Sequence, residues 1–216
     1  MGERYRSLKD HVYEYIAKQI DEGAIGAGDR ISEKDICDVM GVSRTPVREA
    51  LIQLAGDGYL DNEPRRGFRV CGFDQEAARE VFEIIGPLDG HAAFLACSKL
   101  TEDDFAQMHF LVESMDMAIK TGLFKKYDDM QREFHAVYIS KCGNTRLIEI
   151  INQMYRHFVM REYKDVDKET QRSLLFSANT EHRKLLELME SGNGQEARDF
   201  LRDVHWSTDN AEFTTW

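Results

Sequence analysis

The segment SEKDICDVMGVSRTPVREALIQL, residues 32–54, predicts two short helices around a tight turn. Ser32 and Ser43 are typical helix N-caps, and Pro46 falls in the first turn of the second helix, where a missing N–H costs little. Gly41 supplies the residue that ends the first helix. Two helices joined by a glycine-containing turn are typical of a helix-turn-helix.

The second helix of this pair has an apolar face and a basic face. Val47, Leu51 and Leu54 recur at helical spacing and predict the buried stripe. Arg44 and Arg48, one turn apart, share a different face. We predict that this face meets DNA, where arginine favours guanine in the major groove. The alternative is an ordinary amphipathic helix pair with solvated arginines.

The rest of the helix pair supports the same interpretation. Ile36, Val39 and Met40 are expected to form the buried face of the first helix. Three polar residues are expected to position the pair on the DNA backbone: Lys34, Ser43 and Thr45.

A β-hairpin is predicted directly after the helix pair. Residues 59–63 and 68–71 have strand character, and the four residues between them have turn chemistry. Arg65 and Arg66 at the tip can reach phosphates or the minor groove, and Gly67 lets the backbone come close. The alternative is a solvated loop.

The charge of the chain is unevenly distributed. The 216 residues carry a net charge of −11, which is unusual for a nucleic-acid binder. Residues 1–72 hold 11 Lys and Arg against 13 Asp and Glu, a balance of −2, so the remainder carries −9. A near-neutral segment with clustered arginines can present a basic face. We therefore predict two domains, with residues 1–72 touching DNA and residues 73–216 forming a separate unit.

Two further features concern the environment of the chain. No apolar run is long enough to cross a bilayer and no leader opens the chain, which predicts a soluble cytoplasmic protein. The four cysteines lack CxxC pairing and favour reduced thiols over a disulfide frame: Cys37, Cys71, Cys97 and Cys142.

From residue 74 onward, apolar residues recur at helical spacing and no strand pattern is found. Breaks at Gly122, Gly143 and Asn193 divide this part into about six or seven helices. An earlier helix is predicted over residues 5–22. The predicted fold class is therefore mainly α: an N-terminal winged helix-turn-helix with a small β-hairpin wing, followed by an all-helical bundle.

Three histidines are placed to converge in this bundle. His182 and His205 are equidistant from a turn centred on Asn193, so an antiparallel helical hairpin would bring them side by side. His135 lies on an earlier helix. Three imidazoles from three helices can hold a divalent transition metal with coordination positions left open. The alternative for each is a core histidine with a satisfied hydrogen bond.

Several motifs resemble one known family. GVSRTPVREAL at 41–51, GYL at 58–60 and PRRGFRV at 64–70 resemble the winged-helix domain of GntR-family transcription regulators. The pairs at 134–135, 143–144, 181–182 and 204–205 extend the resemblance to the FadR-like subgroup with a C-terminal FCD effector domain. The resemblance implies a dimeric, non-enzymatic repressor of transcription, controlled by a small metabolite that binds in the helical domain.

The resemblance also implies a metal site, with one departure. In FCD domains the ligand pattern begins with an aspartate one turn before the first histidine, and Gln131 stands at that position here. The implied ligands of zinc or nickel are then His135, His182 and His205. A neutral amide binds a divalent cation less well than a carboxylate, so we expect reduced affinity. The nearby Asp128 is expected to be out of phase with His135.

A second departure concerns the effector. The first helix of FCD domains commonly carries an arginine that can hold a ligand carboxylate, and Ile85 stands there in this chain. Arg132, Arg156 and Arg161 can supply positive charge for an anionic effector instead, but a solvated helix face explains them equally well.

Two alternative functions remain at this point. The protein could be a metal-responsive regulator in which the ion itself is the signal. It could also be a metal-dependent hydrolase fused to a winged helix. A hydrolase needs a general base beside the open metal position, and no carboxylate is clearly placed there.

Overall fold

The computed structural model describes residues 7–21, 23–71, 75–158 and 167–213. These residues belong to two compact units: the described residues up to 71, together with residues 155–158, fall in the first, and residues 75–154 and 167–213 fall in the second. The first contains helices and a small sheet, and the second is helical, as predicted for the fold class.

The first unit has the element order of a winged helix. Its antiparallel sheet has the strand order β1-β3-β2, with Leu60 opposite Val70 in the hairpin and Ile31 opposite Phe68 at the other edge. The elements are α1 Leu8–Asp21, β1 Arg30–Ile31, α2 Glu33–Met40, α3 Arg44–Gly56, β2 Leu60–Glu63 and β3 Gly67–Val70. The strand β1 was not predicted, because two residues are too few to show an alternating pattern.

The core of this unit lies between α1, α3 and the sheet. Its largest contributions come from Val12, Ile16, Leu51, Leu54 and Phe68. Because the apolar stripe of α3 is used here, the arginine face of the same helix points away from the core.

One local prediction for the helix pair was wrong, and another was confirmed in position only. Val39 is 66% exposed, because only a narrow face of the two-turn helix α2, centred on Ile36, is buried. Ser43 stands at the N-cap of α3 but makes no side-chain capping bond. By contrast, the Ser32 hydroxyl accepts the Asp35 N–H at 3.2 Å, and α2 ends at Gly41 with a left-handed φ of 65°.

Six α-helices lie within the described residues from 75 onward, within the predicted number. They are α4 Gln75–Cys97, α5 Glu102–Thr121, α6 Phe124–Lys141, α7 Thr145–Phe158, α8 Lys168–Glu190 and α9 Gly194–Phe200. A π-helical turn, Leu201–His205, and a 3₁₀ turn, Thr208–Phe213, follow. None of the described helices combines the length and the apolar character needed to span a membrane.

Helix α4 packs unusually closely on the C-terminal segment. A Cβ added at Gly90 would lie 2.6 Å from the backbone oxygen of Arg198, and one at Gly86 would lie 3.0 Å from the Cβ of Trp206. The two glycines therefore let α4 approach the backbone that carries the last histidine of the chain.

We expect Gly90→Ala to destabilise the protein by about 1–3 kcal/mol, because the added methyl group meets a backbone carbonyl that cannot rotate away. Gly56→Ala is the matched control, since a Cβ at the end of α3 has no heavy atom within 4 Å. The control should be neutral or slightly stabilising. Urea denaturation of both variants measures the difference, and wild-type stability in Gly90→Ala would contradict the close packing.

Candidate metal centre and nucleic-acid interface

The arginine face of α3 is exposed. Arg48 is 69% exposed in its side chain, and its Nε lies 3.9 Å from Glu33 Oε1, a distance at which an exposed pair contributes little. Arg44 forms no ion pair within the described part of the chain. All eight residues predicted to contact DNA are exposed: Lys34, Ser43, Arg44, Thr45, Arg48, Arg65, Arg66 and Gly67.

The base of the wing is held by ion pairs, whereas the arginines at its tip form none with any described residue. Glu63 accepts a hydrogen bond from Arg30 at 3.3 Å and forms an ion pair with Arg69, whose Nε lies 3.1 Å from Glu63 Oε1, so one carboxylate offsets the charge of both arginines. At the tip, Arg65 adopts a left-handed φ of 67°, which is uncommon for a residue with a side chain. The Arg65 and Arg66 guanidinium groups form no ion pair with any described residue, which leaves their charge available to phosphates.

The three predicted histidines lie together in the interior of the helical unit. His135 and His182 are fully buried, and their Nε2 atoms are 3.2 Å apart. His205 is 6% exposed, and the centroids of its ring and the His182 ring are 5.0 Å apart. One potential ligand atom from each residue lies within 4.8 Å of the others. We call these three residues the imidazole cluster.

A carboxylate lies behind two of the three imidazoles. Asp89 on α4 is fully buried, and its Oδ2 lies 3.1 Å from His135 Nδ1. Glu181 Oε2 lies 2.9 Å from His205 Nδ1. Both contacts involve Nδ1, so in both residues Nε2 is the nitrogen that a metal could use. A carboxylate behind a histidine is the usual arrangement around protein-bound metals.

Burial favours the uncharged form of two imidazoles of the cluster. It lowers the pKa of His182 well below the usual value, and the neighbouring His205 and His135 lower it further. Burial also lowers the pKa of His135, against the opposing effect of Asp89. Neutral imidazole is the form that binds metal ions, so His135 and His182 are in the binding-competent state at neutral pH.

The pKa of Asp89 responds to the same surroundings. Burial opposes ionisation, but His135 together with hydrogen bonds from Tyr138 and Trp206 outweighs burial and holds the pKa below its usual value. The carboxylate is therefore an acceptor for all three donors.

Gln131 lies one turn before His135 and is 1% exposed. Its Oε1 is buried and accepts no hydrogen bond from any described residue. An unsatisfied buried oxygen in a native protein usually marks a bound water, ion or ligand. The residues present therefore fit a cation beside the imidazole cluster.

The structure describes the side chains of two of the four residues predicted for the effector pocket. Ile85 is fully buried, whereas Arg132 is exposed and bonds to Asp129 at 2.7 Å. The side chain of Arg156 and the whole of Arg161 lie outside the described residues.

Two functional candidates were missed or misplaced at the sequence level. Asp128 precedes His135 by seven residues, which is two helical turns, so it shares the face of His135 and the prediction that it is out of phase was wrong. Burial raises its pKa to about 7. Asp89 was missed as a partner of His135, although an acidic residue within the apolar stripe of α4 is an available signal.

Comparison with known proteins agrees with this architecture. Residues 8–70 match the model of the bacterial regulatory proteins, gntR family, and residues 80–205 match the FCD domain. The chain is 26% identical over 193 residues to the uncharacterized HTH-type transcriptional regulator YdhC of Bacillus subtilis, covering 88% of this chain and 84% of that one. It is 28% identical over 152 residues to the HTH-type transcriptional regulator McbR of Escherichia coli, covering 70% and 69%.

Solved structures share the fold. Escherichia coli McbR/YncC superposes with a TM-score of 0.77 at 24% identity, covering 96% of this chain and 97% of that one. A GntR transcriptional regulator from Rhodococcus sp. RHA1 superposes with a TM-score of 0.75 at 19% identity, covering 98% and 100%.

Proposed function

Because the chain belongs to the gntR family of bacterial transcription regulators and carries an FCD domain, we propose how its two parts divide the work of a ligand-responsive regulator. Residues 1–72 bind operator DNA in the cytoplasm, and residues 73–216 hold the effector and the dimer interface. The observation that carries the proposal is the set of exposed arginines on α3 and the wing tip, outside a fully packed winged-helix core.

A homodimer is part of this proposal. One winged helix covers a short stretch of DNA, so two half-sites are needed for useful specificity, and a two-fold dimer matches an inverted repeat. Selection of the full-length protein against a random duplex library should recover an inverted repeat, and sedimentation should show two chains on each selected duplex. Recovery of no common sequence, or one chain on each duplex, would contradict the proposal.

We also propose that the imidazole cluster binds a divalent transition metal, zinc or nickel, with Gln131 beside the ion. Two nitrogens on a tetrahedral zinc ion are about 3.3 Å apart, close to the 3.2 Å between His135 and His182 Nε2. Three neutral imidazoles leave the charge of the ion uncompensated, so an anionic effector suits the site. The comparisons favour neither a hydrolase nor a regulator in which the ion itself is the signal.

Gln131→Asp should raise the affinity for Zn²⁺ by about tenfold or more, equivalent to about 1.4 kcal/mol, because a carboxylate adds a charge that the imidazoles lack. Titration calorimetry at fixed pH after chelator treatment measures the change. Gln195→Asp adds the same charge at an exposed position of α9 and should leave the affinity unchanged. Equal affinity in wild-type protein and Gln131→Asp would show that Gln131 does not face the ion.

A further inference from the structure

We propose that Asp89 is the positioning residue of the imidazole cluster: it fixes the tautomer of His135 and, through Trp206, the placement of His205. This inference rests on the metal site proposed above, although its hydrogen-bond basis exists in the metal-free protein. Asp89 reaches two elements distant in sequence, α6 and the C-terminal π turn.

The first step concerns the proton of His135. Its Nδ1 lies 3.1 Å from Asp89 Oδ2 and 2.6 Å from Tyr138 Oη. Tyr138 donates its only proton to Asp89 Oδ1 at 2.7 Å, so its oxygen presents a lone pair to Nδ1. With an acceptor on both sides, the hydrogen-bond network assigns the proton to Nδ1. The lone pair is then on Nε2, the atom that lies 3.2 Å from His182 Nε2.

The second step concerns the placement of His205. The next residue, Trp206, donates from Nε1 to Asp89 Oδ2 at 2.8 Å. The Trp206 ring is 1% exposed and packs edge-on against Phe82, with ring centroids 5.0 Å apart. Asp89 therefore anchors the residue that caps the π turn ending in His205.

The two steps together explain why a charge is retained in this interior. A fully buried carboxylate is costly to desolvate, and a well-packed apolar side chain often serves stability as well. Asp89 accepts from His135, from the Tyr138 hydroxyl beside His135, and from Trp206, the neighbour of His205. The contacts of Asp89 therefore suit a role in orienting the histidine ligands better than a role in stabilising the fold.

The test replaces the carboxylate by an amide of the same size. In Asp89→Asn a donor group takes the place of one acceptor oxygen, so the His135 proton is no longer confined to Nδ1. In metal-free protein labelled with ¹⁵N-histidine, two-bond ¹H–¹⁵N spectra should show the Nδ1–H tautomer for wild-type His135 and a population of the Nε2–H tautomer in the variant. Zn²⁺ affinity, measured by competition with a chelator, should fall about 10–100-fold.

Asp104→Asn is the matched control. Asp104 caps α5 and bonds to Lys141, so the same substitution removes a structural carboxylate that does not contact the imidazole cluster. We expect an unchanged His135 tautomer and unchanged Zn²⁺ affinity. If Asp89→Asn does not fold, Trp206→Phe keeps an aromatic ring beside Phe82 and removes the N–H donor to Asp89 together with part of the buried indole surface. Its Zn²⁺ affinity should fall several-fold, with the His135 tautomer retained.

The outcomes separate the two proposals. A wild-type tautomer in folded Asp89→Asn, or wild-type Zn²⁺ affinity in Trp206→Phe, would overturn the positioning role. If no protein binds Zn²⁺ but Asp89→Asn shifts the tautomer, the metal site is wrong and the control of His135 by Asp89 stands.

Discussion

Replacing Arg44 and Arg48 together by Ala should lower the affinity for the selected operator by about 30-fold or more and leave the fold intact. Each arginine that reads guanine contributes about 1–3 kcal/mol of binding. Both side chains are exposed, and the core uses the opposite stripe of α3. Among the described residues, the only ion pair lost is the long one between Arg48 and Glu33, so stability should change little. Fluorescence anisotropy on operator and random duplexes measures both affinities.

The arginines of α3 and those of the wing should differ in how they affect the preference for operator over random DNA. Loss of Arg44 and Arg48 should reduce operator binding more than random binding. Arg65→Ala and Arg66→Ala in the wing should weaken both equally if they contact phosphates, and should each reduce the slope of log K against log salt by about 1. Arg132→Ala, an exposed arginine of α6, is the control and should change neither. Unchanged operator affinity in the double variant would rule out α3 as the recognition helix.

Acidification should lower the free energy of unfolding of the metal-free protein through the buried His182. The pKa of His182 is lower in the folded protein than its ordinary value of about 6.5, so the unfolded chain binds more protons below that pH. The stability that His182 contributes is therefore present above about pH 6.5 and is lost as the pH falls. The loss is at most about 1.4 kcal/mol for each pH unit.

Comparison of variants isolates this effect. The free energy of unfolding of wild type relative to His182→Leu should fall by up to about 2 kcal/mol between pH 7 and pH 5, in chelator-treated protein. Asp128→Asn should show the opposite sign, because the pKa of Asp128 is raised to about 7. That variant should be more stable than wild type above pH 7, and its advantage should disappear on acidification. Parallel pH profiles for wild type and His182→Leu would contradict the burial of a neutral His182.

Most of the fold could be predicted because its signals are local. The glycine turn and the apolar stripe of α3 are short-range patterns, and they identify the winged helix without tertiary information. Ser43 occupies the predicted N-cap position of α3, but the residue type does not fix its rotamer, and its side chain makes no capping hydrogen bond. The strand β1 exists only through its pairing with β3, which no local pattern encodes.

The candidate site was likewise predictable only where its contacts lie within one local element. The approach of His182 and His205 follows from their equal distance from one turn, which is a property of a single hairpin. Asp89 meets His135 and Trp206 across 46 and 117 residues of sequence. Periodicity shows that Asp89 faces inward, but the identity of its partners depends on how α4, α6 and the C-terminus pack.

The π turn at Leu201–His205 has a consequence for changes in chain length. The backbone N–H of Trp206 reaches the carbonyl of Leu201, five residues back, at 2.9 Å, so this turn holds one residue more than an α-helical turn would. Removing one residue within the turn would allow the α-helical bond from an N–H to the carbonyl four residues back, so the chain on either side could keep its direction while the side chains within the turn change theirs. A one-residue gap here in an alignment of related chains would therefore mark loss of the π turn and not a shift of the flanking helix.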